Sequence, residues 1–196
     1  MPHQRWFWGV VVRIDEARDL LMDITAITAS EAGENVRPQD SRTGHLTLFY
    51  APLRSRRGAP DLVERIADAA ARSPAFDVAL SGFGEFSSPD RTVAWLGVTR
   101  GNDELYDLRA RLCKCDQDTH RHGFVPHLTL AYGEDPAAYA GVRARVAAVA
   151  AATHHITTRV NAVWIAGFPQ GGHPARDLRY VERVALNAAT DSDFEH

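Results

Sequence analysis

The sequence predicts a mixed fold of helices and strands, built from two similar halves that pack as pseudo-symmetric lobes. Two observations predict it. Segments with the periodicity of helix, strand, helix and hairpin occur in that order twice, and short motifs recur at a nearly constant spacing. With 196 residues, of which 45% are hydrophobic, the chain can bury a substantial core, so we expect one domain rather than two linked ones.

Each element follows from the spacing of its side chains. Runs of aromatic and β-branched residues predict strands, apolar residues three and four apart predict helices, and clusters of small polar residues with Gly and Pro predict loops. The first half then comprises a strand at 5–13, a helix at 17–28, a strand from 45, a helix from 60 to about 73, and a hairpin of 76–83 and 91–98. The second half comprises a helix at 102–112, a strand at 123–132, a helix at 136–152, and a closing hairpin of 159–168 and 178–186.

The duplication can be followed residue by residue. The segment His45-Leu46-Thr47-Leu48 returns 82 residues later as His127-Leu128-Thr129-Leu130. Five hairpin positions return 85 residues later: Gly82 as Gly167, Phe83 as Phe168, Pro89 as Pro174, Arg91 as Arg176, and Trp95 as Tyr180. We therefore expect a single bilobal domain at 1–187, with internal repeats at about 15–99 and 102–187, followed by a polar tail at 188–196.

The repeated motif places polar groups on one face of a strand. Alternate strand side chains share a face, so His45 and Thr47 point the same way, and so do His127 and Thr129. The symmetry of the halves should bring the two pairs to face each other across a central groove. In-line displacement at phosphorus needs one group to deprotonate water and another to protonate the departing oxygen. Either imidazole can take either role, and the threonine hydroxyls can donate hydrogen bonds to the non-bridging phosphate oxygens.

Other candidate motifs are weaker. His155-Ile156-Thr157-Thr158 is a third His-x-Thr, but it has no repeat partner, and we interpret it as a chance match. His120 and His122 have no acidic or cysteine residue placed to complete a metal site. We therefore expect neither a metal nor a cofactor.

Charge and cysteine content narrow the function classes. The net charge of −3 provides no overall positive field for long nucleic acids, so any nucleic-acid contact must be local. Cys113 and Cys115 are two apart in a helical pattern and are expected to be reduced thiols. The longest strongly apolar run, Trp6 to Val12, is too short to span a bilayer, and we see no secretion signal. We expect a cytoplasmic monomer that does not contact membranes.

Four segments carry a resemblance to a known family: VRPQDSRTGHLTL, RTVAWLGV, GFVPHLTLAY, and the terminal hairpin ending in RYVERVAL. The sequence resembles the two-histidine (2H) phosphoesterases, and within them the bacterial 2'-5' RNA ligase or RNA 2',3'-cyclic phosphodiesterase branch. The resemblance spans nearly the whole chain. It implies a bilobal α+β fold, with two antiparallel sheets lining a central cleft and helices outside.

The resemblance also implies an activity. It points to a metal-free catalytic site of His45, Thr47, His127 and Thr129 that hydrolyses a 2',3'-cyclic phosphate at an RNA end to a 2'-phosphomonoester. Reversal of related chemistry gives 2'-5' ligation. Many relatives carry a basic residue two positions after the first threonine and three after the second, where this chain has Phe49 and Tyr132. The departure weakens the prediction of polynucleotide binding, and hence of ligation.

Residues around the motifs are candidates for binding the substrate. Arginines could clamp a phosphate and strand aromatics could stack on bases, although a solvated surface or a packed core is the alternative for each. The candidates are Arg91, Phe49, Tyr132, Trp8 and Arg176, with Arg54, Arg56, Arg57, Trp6 and Phe7 as further contacts. The expected ligand is an RNA 3' end. The alternatives are a small cyclic nucleotide, an ADP-ribose cyclic phosphate, or a nucleotide bound without catalysis.

Overall fold

A computed structural model describes residues 6–51, 59–113, 123–153 and 155–187. The predicted α+β class is confirmed. The strands within these residues are β1 (Trp6–Arg13), β2 (Val36–Pro38), β3 (His45–Ala51), β4 (Phe76–Ser88), β5 (Arg91–Arg100), β6 (His127–Gly133), β7 (Ile156–Val160), β8 (Ala162–Pro169) and β9 (Arg179–Ala185). The α-helices are α1 (Arg18–Glu31), α2 (Ala59–Ala71), α3 (Asn102–Cys113), α4 (Pro136–Ala152) and the single turn α5 (Pro174–Asp177).

All nine of these strands lie in one antiparallel sheet. The order is β7-β4-β5-β6-β3-β1-β8-β9, with β2 pairing on β6. Apart from β2, the sheet consists of two four-stranded groups, β7-β4-β5-β6 and β3-β1-β8-β9. Within the described residues, the pair Leu46–Leu128 joins the two groups. The two sheets expected from the resemblance are therefore two halves of one hydrogen-bonded sheet.

The strand groups do not coincide with the sequence repeats. Strand β7 of the second repeat pairs with β4 of the first, while β8 and β9 of the second repeat join the group that holds β3. The extra strand β1 inserts between β3 and β8. As a result β5 lies inside its group beside β6, whereas its repeat counterpart β9 is the outermost strand of the other group.

Helices cover one face of the sheet in two pairs. Helix α1 packs on α4, which lies over β4, β5 and β6, and helix α2 packs on α3 and on β8 and β9. Helix α1 buries Leu20, Leu21, Ile24 and Ile27, as its spacing predicts. Helix α4 buries Tyr139, Val142, Val146 and Ala150, while Val149 is half-buried at the edge of the core.

Short or interrupted elements differ from the sequence-based prediction. Strand β2 lies in a segment predicted as loop, because three residues are too few to show a periodicity. Strand β4 continues to Ser88, so the hairpin turn is confined to Pro89 and Asp90. Strand β6 begins at His127 instead of Gly123. The predicted tail at 188–196 lies outside the described residues.

Candidate active site

The two motif strands lie side by side at the junction of the strand groups. Strands β3 and β6 pair antiparallel at Leu46 and Leu128, both fully buried. Because an antiparallel pair of identical segments has a local twofold axis, His45 then lies across from Thr129, and Thr47 across from His127. The two histidines thus occupy diagonal corners of one four-residue cluster. The two rings also interact electrostatically, because His127 lowers the pKa of His45 in addition to the larger effect of burial.

Each imidazole is oriented by a backbone carbonyl two residues before it. His45 Nδ1 lies 2.7 Å from the Thr43 carbonyl oxygen, and His127 Nδ1 lies 2.7 Å from the Val125 carbonyl oxygen. A carbonyl oxygen can only accept, so Nδ1–H donates in both rings. Nε2 is therefore the atom of each ring that remains for proton transfer.

The environments of the two histidines differ. His45 is 6% exposed, and burial lowers its pKa from 6.5 to about 4, against the opposing effect of its hydrogen bond to Thr43. It is therefore neutral at neutral pH. His127 is half-buried at the wall of a cleft, where its ring centre lies 5.0 Å from that of Phe86 and 6.0 Å from that of Trp95.

The cluster opens into a cavity of about 400 Å³, which we call the histidine cleft. Three of the four motif residues line it, whereas His45 is buried and is not among the lining residues. The lining residues are Thr47, Tyr50, Phe86, Arg91, Val93, Gly123, Phe124, Val125, His127, Thr129, Tyr132 and Pro174. The cleft thus combines hydroxyl donors, one imidazole edge, one guanidinium and several aromatic rings, a set suited to a small anionic group attached to an aromatic base.

Matching β-bulges bring a tyrosine beside each threonine. The register between β1 and β3 shifts so that Leu48 is an extra residue, and the register between β5 and β6 shifts so that Leu130 is one. Each bulge breaks the alternation of faces, so the two residues that follow each threonine are both buried. Tyr50 and Tyr132 then return to the cleft.

The two phenols remain protonated donors. Burial raises the pKa of Tyr50 and of Tyr132, and the hydroxyl of the neighbouring threonine acts in the opposite direction in each case, Thr47 on Tyr50 and Thr129 on Tyr132. Arg91 also acts on Tyr132 and lowers its pKa. Two threonine–tyrosine pairs therefore present neutral O–H groups to the same cavity.

The bulge at Leu48 is held by a helix on the other side of the sheet. Arg109 of α3 donates from Nη1 to the Leu48 carbonyl oxygen. Its guanidinium carbon lies 4.5 Å from the ring centre of Phe124, which lines the histidine cleft. A charged side chain thus satisfies a backbone group that the irregular ladder would leave without a partner.

The structure separates the predicted substrate-binding residues into two groups. Arg91 and Tyr132 line the histidine cleft. Phe49 and Trp8 do not: they are 2% and 6% exposed and belong to the hydrophobic core. Phe49 is turned inward by the bulge at Leu48, and Trp8 packs against Trp6 with ring centres 5.6 Å apart. In this structure neither ring is exposed where it could stack on a substrate.

Arg176 also lies elsewhere than predicted. It lies in α5 and lines a separate cavity, although its repeat counterpart Arg91 begins β5 and lines the histidine cleft. The difference follows from the exchange of strands, because β5 neighbours β6 while β9 is the outermost strand.

Several cleft residues have no counterpart among the sequence-based candidates. Tyr50 is detectable in the sequence, since it precedes Tyr132 by the same 82 residues that separate the motifs. Phe86, 39% exposed at the cleft, has no such signal because it lies in a segment rich in turn residues. Phe124 and Pro174 lie in connecting segments whose position depends on tertiary packing.

The remaining motifs lie away from the cleft or beyond the described residues. His155 is exposed beside the outermost strand β7, which is consistent with a chance match. Arg54, Arg56, Arg57, His120 and His122 lie outside the described residues. Among the residues that the structure describes, no three His, Cys, Asp or Glu side chains are grouped so that they could hold a metal ion. No helix in this part of the chain is long and apolar enough to cross a membrane.

A family model described as the 2'-5' RNA ligase superfamily matches residues 13–169. The chain belongs to the 2'-5' RNA ligase superfamily. The match includes both His-x-Thr segments and the strands that carry them. Membership confirms the 2H phosphoesterase resemblance.

Three solved structures share the fold of this chain. E. coli LigT in its apo form is 18% identical, with a TM-score of 0.64 over 94% of this chain and 99% of that chain. TT0787 of Thermus thermophilus is also 18% identical, with a TM-score of 0.63 over 94% of this chain and 100% of that chain. Usb1 of Kluyveromyces marxianus is 12% identical, with a TM-score of 0.53 over 92% and 98%. Among curated proteins, no match to the sequence is found.

Proposed function

We propose that this protein is a metal-independent phosphodiesterase that hydrolyses a 2',3'-cyclic phosphate at an RNA end to a 2'-phosphomonoester. The observation that carries the proposal is the diagonal placement of two carbonyl-oriented imidazoles in one four-residue cluster, which opens into a small cavity. Membership of the 2'-5' RNA ligase superfamily supports the choice of a phosphodiester substrate. Complexes of the related E. coli LigT with 3'-AMP and with phosphate are consistent with this choice.

The two histidines take different roles in the proposed reaction. His45 is neutral at neutral pH, so its Nε2 accepts a proton from water as the water oxygen attacks phosphorus. The negative charge of a bound phosphate raises the pKa of this imidazole and makes it a stronger base. The bond from phosphorus to the 3'-oxygen breaks on the opposite side, and protonated His127 donates to that oxygen. The product keeps its phosphate on the 2'-oxygen.

Neutral hydrogen-bond donors take the place of the basic residues that many relatives carry where this chain has Phe49 and Tyr132. Charge builds on the non-bridging oxygens as the water attacks, and hydroxyl groups aimed at these oxygens stabilise the transition state. Thr47 and Thr129 supply such groups, and Tyr50 and Tyr132 supply two more from positions where burial keeps them protonated. Arg91, exposed at the rim of the cleft, supplies a positive charge.

A second candidate function uses the same chemistry on a smaller ligand. Arg91 is the one arginine or lysine side chain among the described residues that line the histidine cleft. Such modest positive charge favours a small cyclic nucleotide or an ADP-ribose cyclic phosphate, while a non-catalytic nucleotide-binding role is the third alternative. For RNA ends, the proposal includes 2'-5' ligation by reversal of related chemistry.

Product analysis tests the proposal. We expect the protein, in the presence of a chelator, to convert 2',3'-cyclic mononucleotides and a short RNA ending in a cyclic phosphate to 2'-phosphates. His127→Ala should lower the rate about 10²–10⁴-fold, because the departing oxygen loses its proton donor. His155→Ala is the matched control and should leave the rate unchanged. Binding without turnover, or formation of 3'-phosphates, would contradict the proposal.

A further inference from the structure

A second cavity lies beside the histidine cleft. Its volume is about 590 Å³, and we call it the arginine cleft because three of its lining residues are Arg37, Arg42 and Arg176. Its other lining residues are Thr25, Gly33, Glu34, Val36, Pro38, Asp40 and Ser41. Arg176, a candidate phosphate ligand from its repeat position, has no part in the proposed mechanism.

The charges of the arginine cleft do not cancel. Arg42 is held by Asp40, whose carboxylate accepts from Arg42 Nε at 3.1 Å and from Nη2 at 2.7 Å. In residues 6–51, 59–113, 123–153 and 155–187, neither Arg37 nor Arg176 has a carboxylate within ion-pair distance. Glu34, exposed at the edge, is the other acid of the lining. The lining thus has three guanidinium groups against two carboxylates, one of which is taken up by Arg42, and carries net positive charge in a chain of net charge −3.

Neighbouring residues line the two clefts. On the ladder between β2 and β6, Arg37 is paired with Tyr132, which lines the histidine cleft. In α5, Pro174 lines the histidine cleft, and Arg176 lines the arginine cleft. His173 lies between them, with its ring centre 4.7 Å from that of Tyr132 and its Nε2 2.9 Å from Glu134 Oε1. Arg37 and Arg176 both act electrostatically on this histidine, so all three groups lie close together.

We propose that the arginine cleft binds a second phosphate of the substrate, the one attached to the 5' side of the nucleotide whose cyclic phosphate occupies the histidine cleft. The inference rests on the proposed function and names its substrate class. Guanidinium groups bind phosphate oxygens through paired N–H donors, and the hydroxyls of Thr25 and Ser41 in the lining can donate as well. The cleft supplies the local cations that the motif strands lack. It favours a nucleotide with a 5' phosphate over a 5' hydroxyl.

Three substrates distinguish the sources of that phosphate. The first is a 2',3'-cyclic mononucleotide with a 5' hydroxyl, the second is the same compound with a 5' phosphate, and the third is a dinucleotide with a cyclic 3' end. We expect a KM roughly tenfold lower for the second or third than for the first. A gain limited to the second indicates a terminal phosphomonoester, and a gain shared by the third indicates an RNA chain.

Matched variants assign the gain to the arginines. Arg37→Gln and Arg176→Gln should each abolish most of the decrease in KM that the 5' phosphate gives, and KM should then depend less on salt concentration. The kcat for the 5'-hydroxyl compound should stay unchanged. Arg72→Gln removes the same charge from an exposed helix end and should keep the gain. Equal KM values for all three substrates, or an equal loss in Arg72→Gln, would overturn the inference while leaving the proposed function in place. Absence of turnover with every cyclic phosphate contradicts the proposed function instead.

Discussion

His45 and His127 carry the same ring in different surroundings, and this difference sets the pH dependence of the proposed reaction. Burial lowers the pKa of His45 to about 4, so its neutral form persists far below the ordinary value of 6.5. We therefore expect the acid limb of kcat/KM to fall near pH 4, measured on a 2',3'-cyclic mononucleotide with circular dichroism confirming that the protein stays folded. An acid limb near 6.5 would contradict His45 as the base.

His127→Ala provides the control for this profile. Removing His127 takes away a positive charge that lowers the pKa of His45. The acid limb of the residual activity should therefore move to higher pH, while burial keeps it below the ordinary value. A limb that moves to lower pH is inconsistent with the two rings sharing one site.

The tyrosine pair gives a second prediction at this scale. Tyr50→Phe and Tyr132→Phe keep the rings but remove the hydroxyl donors, so we expect kcat to fall roughly tenfold or more in each, with a smaller change in KM. Tyr139→Phe is the matched control. Its hydroxyl donates to Glu85 Oε1 at 2.6 Å, so its loss should lower stability but not kcat. An unchanged kcat in the double variant Tyr50→Phe and Tyr132→Phe removes the phenols from the mechanism.

Single residues were predictable from sequence wherever strict alternation holds. His45, Thr47, His127 and Thr129 occupy one face because no bulge interrupts the three residues of each motif. Its position two after Thr47 makes Phe49 a candidate for the cleft, but the bulge at Leu48 turns Phe49 inward and brings Tyr50 to the cleft instead. A bulge has no sequence periodicity of its own, so the sequence does not predict this change. Strand aromatics such as Trp8 are ambiguous for a different reason: periodicity does not say which face of a strand is covered.

At the scale of elements, helix α3 holds the first motif strand in its irregular shape. Arg109→Met leaves the Leu48 carbonyl oxygen without its donor, so we expect the free energy of unfolding to fall by about 1–3 kcal/mol and kcat to fall with it. Chemical denaturation and steady-state kinetics measure the two effects. Arg111→Met, from the same helix, loses a hydrogen bond to Ser73 Oγ and should change stability alone. A full kcat in Arg109→Met would show that the bulge does not depend on this contact.

Long elements were predictable and short ones were not. Helices α1 and α4 have several turns of apolar spacing, and α4 also has a sequence-readable start in Asp135 and Pro136. Strand β2 is set by pairing with β6, and the turn α5 by a cap from His173. Both depend on residues far away in the chain or on a few local hydrogen bonds, which a periodicity analysis does not detect.

At the scale of the whole molecule, the sequence repeat predicted the symmetry of the motifs but not the grouping of strands. Strands β3 and β6 meet about a local twofold axis, as the duplication suggests. The hairpins do not occupy equivalent places, because β1 takes the position beside β3 that β5 takes beside β6. Tertiary packing decides which distant strands pair. Arg91 and Arg176 therefore occupy matching positions in the sequence repeats but line different cavities.

The central claim is that the two halves place proton-transferring groups on opposite sides of one phosphorus. Hydrolysis of a single diastereomer of a 2',3'-cyclic phosphorothioate in ¹⁸O-labelled water tests it most directly. A single in-line displacement predicts a 2'-phosphorothioate with inverted configuration at phosphorus and the label on that phosphorus. Retention of configuration would contradict the account, since it requires either two displacements through a covalent intermediate on the protein or attack from the side of the departing oxygen.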